Sequence, residues 1–347
     1  MVTSQRILNA NGYAVPHWPL EWGGQDWTPV QRHIWLEEMQ LASVPAPLAF
    51  NTSMVGPVIA TFGSQEIKER FLPATANIDI WGSQGFSEPN AGSDLASLQT
   101  FGEDKGDHYV VNGQKVWTSY ADKADWIFCL VRTDPKASKH TGISFVLFDM
   151  KTPGVSTKPI LLISGYSPFC ETFFDNVKVP KKNLVGELNR GWDVAKYLLG
   201  HEREMISGMG LGGSSRTLGE IALGTVGAEP DGRLDDPVLR ARIALFEVRA
   251  QAFKAMSERF IDELKHKRAH PAQPSMMKYY GTELNKSRHE LMMAAGGSDA
   301  LAWDSERSRG GAAARAWLRT KANSIEGGTS EVQLNIVSKH ILQLPGA

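Results

Sequence analysis

One stretch constrains this chain more than any other: residues 81–119, WGSQGFSEPNAGSDLASLQTFGEDKGDHYVVNGQKVWTS. Two polar turns stand close together in it. The first, Ser87-Glu88-Pro89-Asn90-Ala91-Gly92-Ser93-Asp94, is dense in turn formers. Pro89 fixes its own φ, Gly92 is free to take φ > 0, and Asn90 tolerates the left-handed region. Such a turn can aim several backbone N–H groups and the Ser87 and Ser93 hydroxyls into one concavity, which suits a ligand bearing carbonyls or phosphates. The second predicts a hairpin: Tyr109-Val110-Val111 and Gln114-Lys115-Val116-Trp117 flank Asn112-Gly113, a dipeptide that favours a two-residue turn. It ends in Trp117-Thr118-Ser119, an aromatic plane followed by two hydroxyls. By chemistry alone, such turns are more often connectors than ligand sites.

The 347 residues suffice for two or three domains. With 37 basic against 38 acidic residues, nothing points to nucleic acid or a membrane surface. Cys129 and Cys170 sit in apolar, strand-like runs and read as free thiols of a reducing cytoplasm, too few for a zinc site. The N-terminal residues lack a basic-then-apolar secretory pattern, and no run reaches the ~18 apolar residues of a membrane span.

Along the chain, periodicity predicts an α+β protein in three parts: an N-terminal helical domain (1–83), a small central β-barrel or sandwich (84–187) and a C-terminal four-helix-type bundle (188–347). Thr28-Pro29 opens a helix through Met39; further helices cover Val55–Phe62 and Gln65–Phe71, the latter closing at Pro73. The runs 126–131, 143–148 and 172–174 are aromatic and β-branched. Helical pattern returns at Gly191 and reaches about Leu223, then continues over Val238–Arg268 and about Ser275–Ala294, ending at Gly296-Gly297. Residues 303–320 are Ala/Arg-rich, and a last helix follows Thr329-Ser330. The run Ile206-Ser207-Gly208-Met209-Gly210-Leu211-Gly212-Gly213 is unusual for a helix, because each glycine costs about 1 kcal/mol relative to alanine. It points to close helix packing or to a widened pocket for a branched, cyclic or steroid-like group.

The segments Ser-Glu-Pro-Asn-Ala-Gly-Ser-Asp and Asn-Gly-Gln-Lys-Val-Trp-Thr-Ser resemble the flavin-binding stretch of the acyl-CoA dehydrogenases, with Asn90 where that family usually has Gly. The resemblance runs along the whole chain and implies helix, barrel, helix. It also implies FAD as cofactor, an acyl-CoA substrate, an electron-transfer flavoprotein as electron acceptor, and a homodimer or homotetramer, since the family builds FAD sites across a subunit interface. By the same resemblance Gln84, Phe86 and Ser87 lie against the pyrimidine edge of the flavin, Trp117 packs on the ring, and Ser119 bonds near N5. Gly92 and Ser93 line the turn, Ser93 meeting both cofactor and acyl-CoA. Thr329, Ser330 and Glu331 touch FAD, and Gly296 and Gly297 remain from a Gln-x-x-Gly-Gly motif in which Met293 replaces Gln. The Arg-x-x-Phe-Gly stretch that often reaches the pyrophosphate is not recognisable in 238–270.

The family's reaction removes the α-proton of a thioester while hydride leaves the β-carbon for the flavin. It needs a carboxylate base and donors to the thioester oxygen. Many members carry the base in a C-terminal Tyr-Glu-Gly-Thr order. Here the stretch is Ile325-Glu326-Gly327-Gly328-Thr329, and counting back from Thr329 puts Gly327 at the base position. Gly327 takes no proton, though its N–H can donate to the thioester oxygen. Isovaleryl-CoA and long-chain dehydrogenases place the base on a distant helix in the order Glu-Arg, which Glu202-Arg203 matches; Arg203 then lies near the CoA chain. The resemblance thus implies Glu202 as base, with Glu326 as the alternative. A glutamate in His201-Glu202-Arg203-Glu204 would otherwise be read as part of a solvated face. Two rival readings are a flavin-carrying but non-catalytic subunit of a hetero-oligomer and an oxidase.

Overall fold

The computed structural model describes residues 1–207, 217–306 and 308–345. The chain forms two compact units, Met1–Leu161 with Ser167–Glu202, and Leu162–Tyr166 with Arg203–Ala347. It has helices first, a β-sheet in the middle and helices again toward the C-terminus.

In the first unit, α1 (Val2–Ala10) precedes α2 (Pro29–Leu41). Thr28 and Gln31 close a reciprocal capping box at the start of α2, satisfying two N–H groups that a helix start leaves open. A π-helical turn, Phe50–Val55, leads into α3 (Gly56–Phe62). A side chain at Gly56 would lie 1.9 Å from the Trp18 indole, so glycine lets the turn close over that ring. Then α4 runs Gln65–Ala76, straight through Pro73 where the sequence predicts a stop. Pro73 removes the donor to the Glu69 carbonyl, but Glu69 is exposed, while Leu72, Thr75 and Ala76 beyond it are buried and hold the last turn in place.

The sheet comprises β1 (Gly82–Gly85), β2 (Phe101–Asp104), β3 (His108–Ser119), β4 (Trp126–Arg132), β5 (Ile143–Asp149), β6 (Val155–Ile160), β7 (Phe169–Pro180) and β8 (Leu184–Val185). Its order is β6-β7-β3-β2-β4-β5-β8, with β1 parallel to β4. Tyr109, Val111, Ile127, Cys129, Val131, Phe148 and Val177 form the core beneath it. Both cysteines are free and buried, and burial pushes the Cys129 thiol up to about 12.

The hairpin predicted at Asn112-Gly113 does not form. His108–Ser119 is one continuous strand, and Phe101–Asp104 turns back onto its first half, Phe101 pairing with Asn112. Asn112-Gly113 is instead an irregularity in the pairing with β7, where the register shifts between Val111 and Gly113. Asn112 Oδ1 accepts the Asn176 N–H at 2.8 Å. Gly113, at φ +150°, lies against Thr100, whose Cα would sit 2.7 Å from any Cβ there. The dipeptide permits a backbone bend inside a strand as readily as a turn between two.

α5 (Gly191–Ser207) follows the sheet, and the glycine-rich run at 208–213 lies outside the described residues. In the second unit, α6 (Leu218–Val226), α7 (Pro237–Lys265) and α8 (Gln273–Leu301) share a core of Leu218, Ala222, Leu239, Ile243, Leu291 and Ala295. Asp236 caps α7 by accepting the Leu239 N–H at 2.8 Å. α8 breaks at the predicted Gly296-Gly297, where Gly297 is non-helical at φ 54° and ψ −139°, and a short further helical segment runs on to Leu301. α9 (Ala312–Thr320) and α10 (Ser330–His340) complete the unit. Among the described residues no helix is long and apolar enough to cross a membrane, and no cluster of His, Cys, Asp or Glu could hold a metal.

Candidate active site

In the first unit the two polar motifs lie against each other. β1 delivers Gln84, half-buried, and runs on into buried Phe86 and half-buried Ser87. The Ser87 carbonyl accepts the Val116 N–H at 2.9 Å, which locks the polar turn to the end of β3. Ser83 Oγ donates to the Ser119 carbonyl at 2.9 Å and ties the start of the same segment to the strand's last residue. Gln84, Phe86, Ser87, Trp117 and Ser119 are therefore brought to one region of the sheet. Gly92 and Ser93 stand exposed on the turn. Neither Asn90 nor Gly92 takes positive φ, a freedom that the sequence allows and the fold leaves unused. The turn closes through the Glu88–Ala91 pair of backbone bonds, at 3.1 and 3.0 Å, without a left-handed residue.

Trp117 is the exceptional residue here. Its φ is +61°, costly for a bulky side chain, and its indole is 54% exposed although the flanking Thr118 is fully buried. The register shift between Lys115 and Thr118 produces this geometry: the strand bends, Thr118 Oγ1 turns inward to the Cys170 carbonyl at 2.8 Å, and Trp117 turns outward, edge-on to Phe169. A broad indole face held out by strained backbone is a surface on which a flat ring can stack.

Behind this surface lies a group that the sequence reading passed over. Lys115 is fully buried, and its Nζ donates to Glu88 Oε1 at 2.8 Å and to the Phe86 carbonyl at 3.0 Å. Glu88 also accepts the Gln99 and Thr100 N–H groups at 2.7 and 2.9 Å. Burial pushes the Glu88 carboxyl up, but the Lys115 ammonium and these donors outweigh it and hold the group below its ordinary range. The signal was in the alternation: Tyr109, Val111 and Lys115 share one phase of a period-two strand. Reading a turn at Asn112-Gly113 broke that phase.

Glu202 lies in the C-terminal part of α5, half-buried, with Oε2 shielded from solvent. Beside it, His201 packs edge-on to Tyr197, whose hydroxyl accepts from Thr61 at 3.1 Å. Burial holds His201 below its usual range.

In the second unit, Glu326, Gly327, Gly328, Thr329, Ser330 and Glu331 form one loop and helix start. Gly327 and Gly328 both take positive φ, +65° and +91°. Gln333, fully buried, donates to both of their carbonyls at 3.0 and 3.2 Å, and buried Lys278 donates to the Gly328 carbonyl at 2.8 Å and to that of Asn323 at 3.0 Å. Thr329 caps α10 by accepting the Val332 N–H at 3.2 Å, and Ser330 Oγ donates to Glu283 at 3.3 Å. Glu326 is bound by Arg319 and Asn323. Glu331 is held below the ordinary carboxylate range by backbone N–H and Thr329 contacts at the helix start. Arg203 is half-buried. Gly296 belongs to α8, where a Cβ would press on Ala300 at 2.6 Å, and Gly297 is the break beside it. Lys278, Gln333 and Arg319 carry no motif of their own, and only the fold reveals what they hold.

The chain matches three family profiles in sequence order. They are described as the N-terminal domain (residues 4–79), the middle domain (83–177) and the C-terminal domain (189–342) of acyl-CoA dehydrogenase. Among curated relatives, acyl-CoA dehydrogenase IpdE1 of Mycobacterium tuberculosis is 34% identical over 350 residues, spanning 97% of this chain and 86% of the relative. Among solved structures, the Tcur3481-Tcur3483 steroid ACAD superposes with a TM-score of 0.88 at 28% identity, covering 100% of this chain and 89% of that one. The ChsE4-ChsE5 complex from Mycobacterium tuberculosis gives 0.83 at 32% identity, covering 99% and 89%.

Proposed function

The chain belongs to the acyl-CoA dehydrogenase family, and from that premise we propose that it converts an acyl-CoA thioester to its 2-enoyl-CoA with Glu202 as the base. FAD, when bound, supplies the acceptor for the β-hydrogen and its electron pair, and an electron-transfer flavoprotein takes the electrons onward. Trp117 offers a face for the flavin ring; Ser87 and Ser119 offer hydroxyls to its edge. Gln84, Phe86, Gly92 and Ser93 complete the cradle, and Thr329, Ser330, Glu331, Gly296 and Gly297 serve the outer half of the cofactor. Arg203 meets the CoA chain. The Gly327 N–H donates to the thioester oxygen, where it stabilises the charge that develops as the α-proton leaves.

The observation that carries the choice of base is the engagement of Glu326. Its two oxygens are taken by Arg319 and Asn323, and a carboxylate so clamped makes a poor proton shuttle. Glu202, on α5 with one oxygen shielded from solvent, is the acid assigned to the proton removal in this reading. The test is reconstitution with FAD and a panel of acyl-CoAs. Loss of the oxidised-flavin absorbance with a cognate thioester supports the reading, and no change with any thioester speaks against it.

Two features bear on substrate and assembly. One structural neighbour is titled a steroid ACAD, and we extend to this chain a bulky, ring-containing acyl group. Another is titled as a complex of two named components, which favours a hetero-oligomeric assembly over the homodimer or homotetramer and leaves Glu202 as the base. Size-exclusion chromatography with light scattering, alone and with co-expressed homologues, separates the two.

A further inference from the structure

One buried ionic group takes no part in the proton removal described above. Lys115 has no access to water, and its Nζ lies 2.8 Å from Glu88 Oε1. Apolar residues of similar size at both positions would avoid the cost of desolvating the two ions, so stability alone is a weak reason for the pair. Its arrangement is directional. The ammonium end rests on the Phe86 carbonyl at 3.0 Å. The carboxylate end is turned to the Gln99 and Thr100 N–H groups at 2.7 and 2.9 Å. The Phe86 carbonyl and the Ser87 N–H belong to one peptide plane. A cation on that oxygen draws density out of the amide and strengthens its N–H as a donor, an effect that low dielectric magnifies. The Lys115 bond to the Phe86 carbonyl holds this peptide directly, and the next peptide is pinned where the Ser87 carbonyl accepts the Val116 N–H at 2.9 Å.

We propose that Glu88 and Lys115 form an oriented dipole whose positive end, relayed through the Phe86–Ser87 peptide, tightens flavin binding and raises the reduction potential of the flavin held at Ser87, Trp117 and Ser119. The inference rests on the placement of the flavin at those residues. Both act through the Phe86–Ser87 peptide and are positioning residues. A positive pole behind the ring's edge favours the more electron-rich, reduced form, whereas a neutral clamp of the same shape would not.

The experiment measures the midpoint potential of protein-bound flavin by dye-equilibrated reduction, and the FAD Kd by titration of the apoprotein, in wild type, Glu88→Gln and Lys115→Met. Glu88→Gln leaves the ammonium uncompensated and should raise the potential. Lys115→Met removes the positive end; it should lower the potential and weaken FAD binding by roughly tenfold, the scale of one charge-assisted contact. The double variant leaves no buried charge unpaired and serves if Lys115→Met does not fold; its potential should lie below wild type. Potentials equal to wild type in the variants that bind FAD, or shifts of the same sign in both single variants, would overturn the proposal and leave only a structural clamp. Wild-type protein that takes up no FAD defeats the flavin placement itself. Wild type that binds FAD and is bleached by an acyl-CoA, with variants of unchanged potential, defeats this inference alone.

Discussion

Arg319 and Glu326 grip each other twice, Nη2 to Oε2 at 2.7 Å and Nη1 to Oε1 at 3.3 Å, and Asn323 Nδ2 adds a third bond to Oε1 at 2.5 Å. The pair joins α9 to the glycine loop that precedes α10, so its carboxylate acts as a strut. Glu326→Gln should therefore lower stability by about 1–3 kcal/mol, the cost of replacing one charge-assisted acceptor of a part-buried arginine by an amide NH₂, while turnover stays within a few-fold of wild type. Urea unfolding alongside steady-state kinetics checks both halves.

Trp117 combines a left-handed backbone with an exposed ring. If the ring serves the flavin, strain is tolerated here for binding and not for folding. Trp117→Gly should then unfold at higher denaturant than Trp117→Ala, by about 1 kcal/mol, because glycine alone accepts φ +61° without penalty. Both variants should lose most FAD affinity, read by cofactor retention on desalting. An alanine variant as stable as the glycine variant would mean that the backbone relaxes when the indole is removed.

His17 gives the fold a pH dependence. Burial, with the nearby positive groups His201 and Arg32, lowers it from 6.5 to about 4, against the bond its Nε2 makes to the Thr52 carbonyl at 2.8 Å. The folded chain keeps the ring neutral where the unfolded chain binds a proton, so this contribution is complete above pH 6.5 and is lost as pH falls toward 4. The ceiling is about 3 kcal/mol. Glu88 acts in the same direction at lower pH, since its lowered carboxyl must be protonated on acidification. Unfolding free energies at pH 7 and pH 5 should differ less in His17→Gln than in wild type; equal differences would place the acid sensitivity elsewhere.

Gly113→Ala tests the reassigned strand. The residue sits at φ +150° with Thr100 Oγ1 2.6 Å from where a Cβ would be, so the substitution should cost about 2 kcal/mol or more. A substitution that costs nothing would show that β2 does not approach β3 at this point.

Much of the fold was legible because its signals are local. The Thr28 cap, the helical periodicity over Val238–Arg268 and the aromatic strand runs are each local, and the structure follows them. The misreadings share one cause, that a local permission is not a requirement. Asn112-Gly113 allows a turn, yet the pairing of Phe101 with Asn112 and of β3 with β7 makes the segment one strand. Pro73 usually ends a helix, but buried residues beyond it keep the last turn. Among site residues, the motif pair was visible as two polar segments. The Glu88–Lys115 pair binding them was not, because its partners lie 27 positions apart and meet only through the sheet.

The most direct measurement is a single-turnover reduction of the FAD-loaded protein by a cognate acyl-CoA, compared between wild type, Glu202→Gln and Glu326→Gln. With Glu202 as base, its variant should bind both cofactor and thioester yet lose flavin bleaching by roughly 10²–10⁴-fold, while Glu326→Gln bleaches at near the wild-type rate. Retained bleaching in Glu202→Gln together with its loss in Glu326→Gln would contradict the assignment and move the proton to the C-terminal loop.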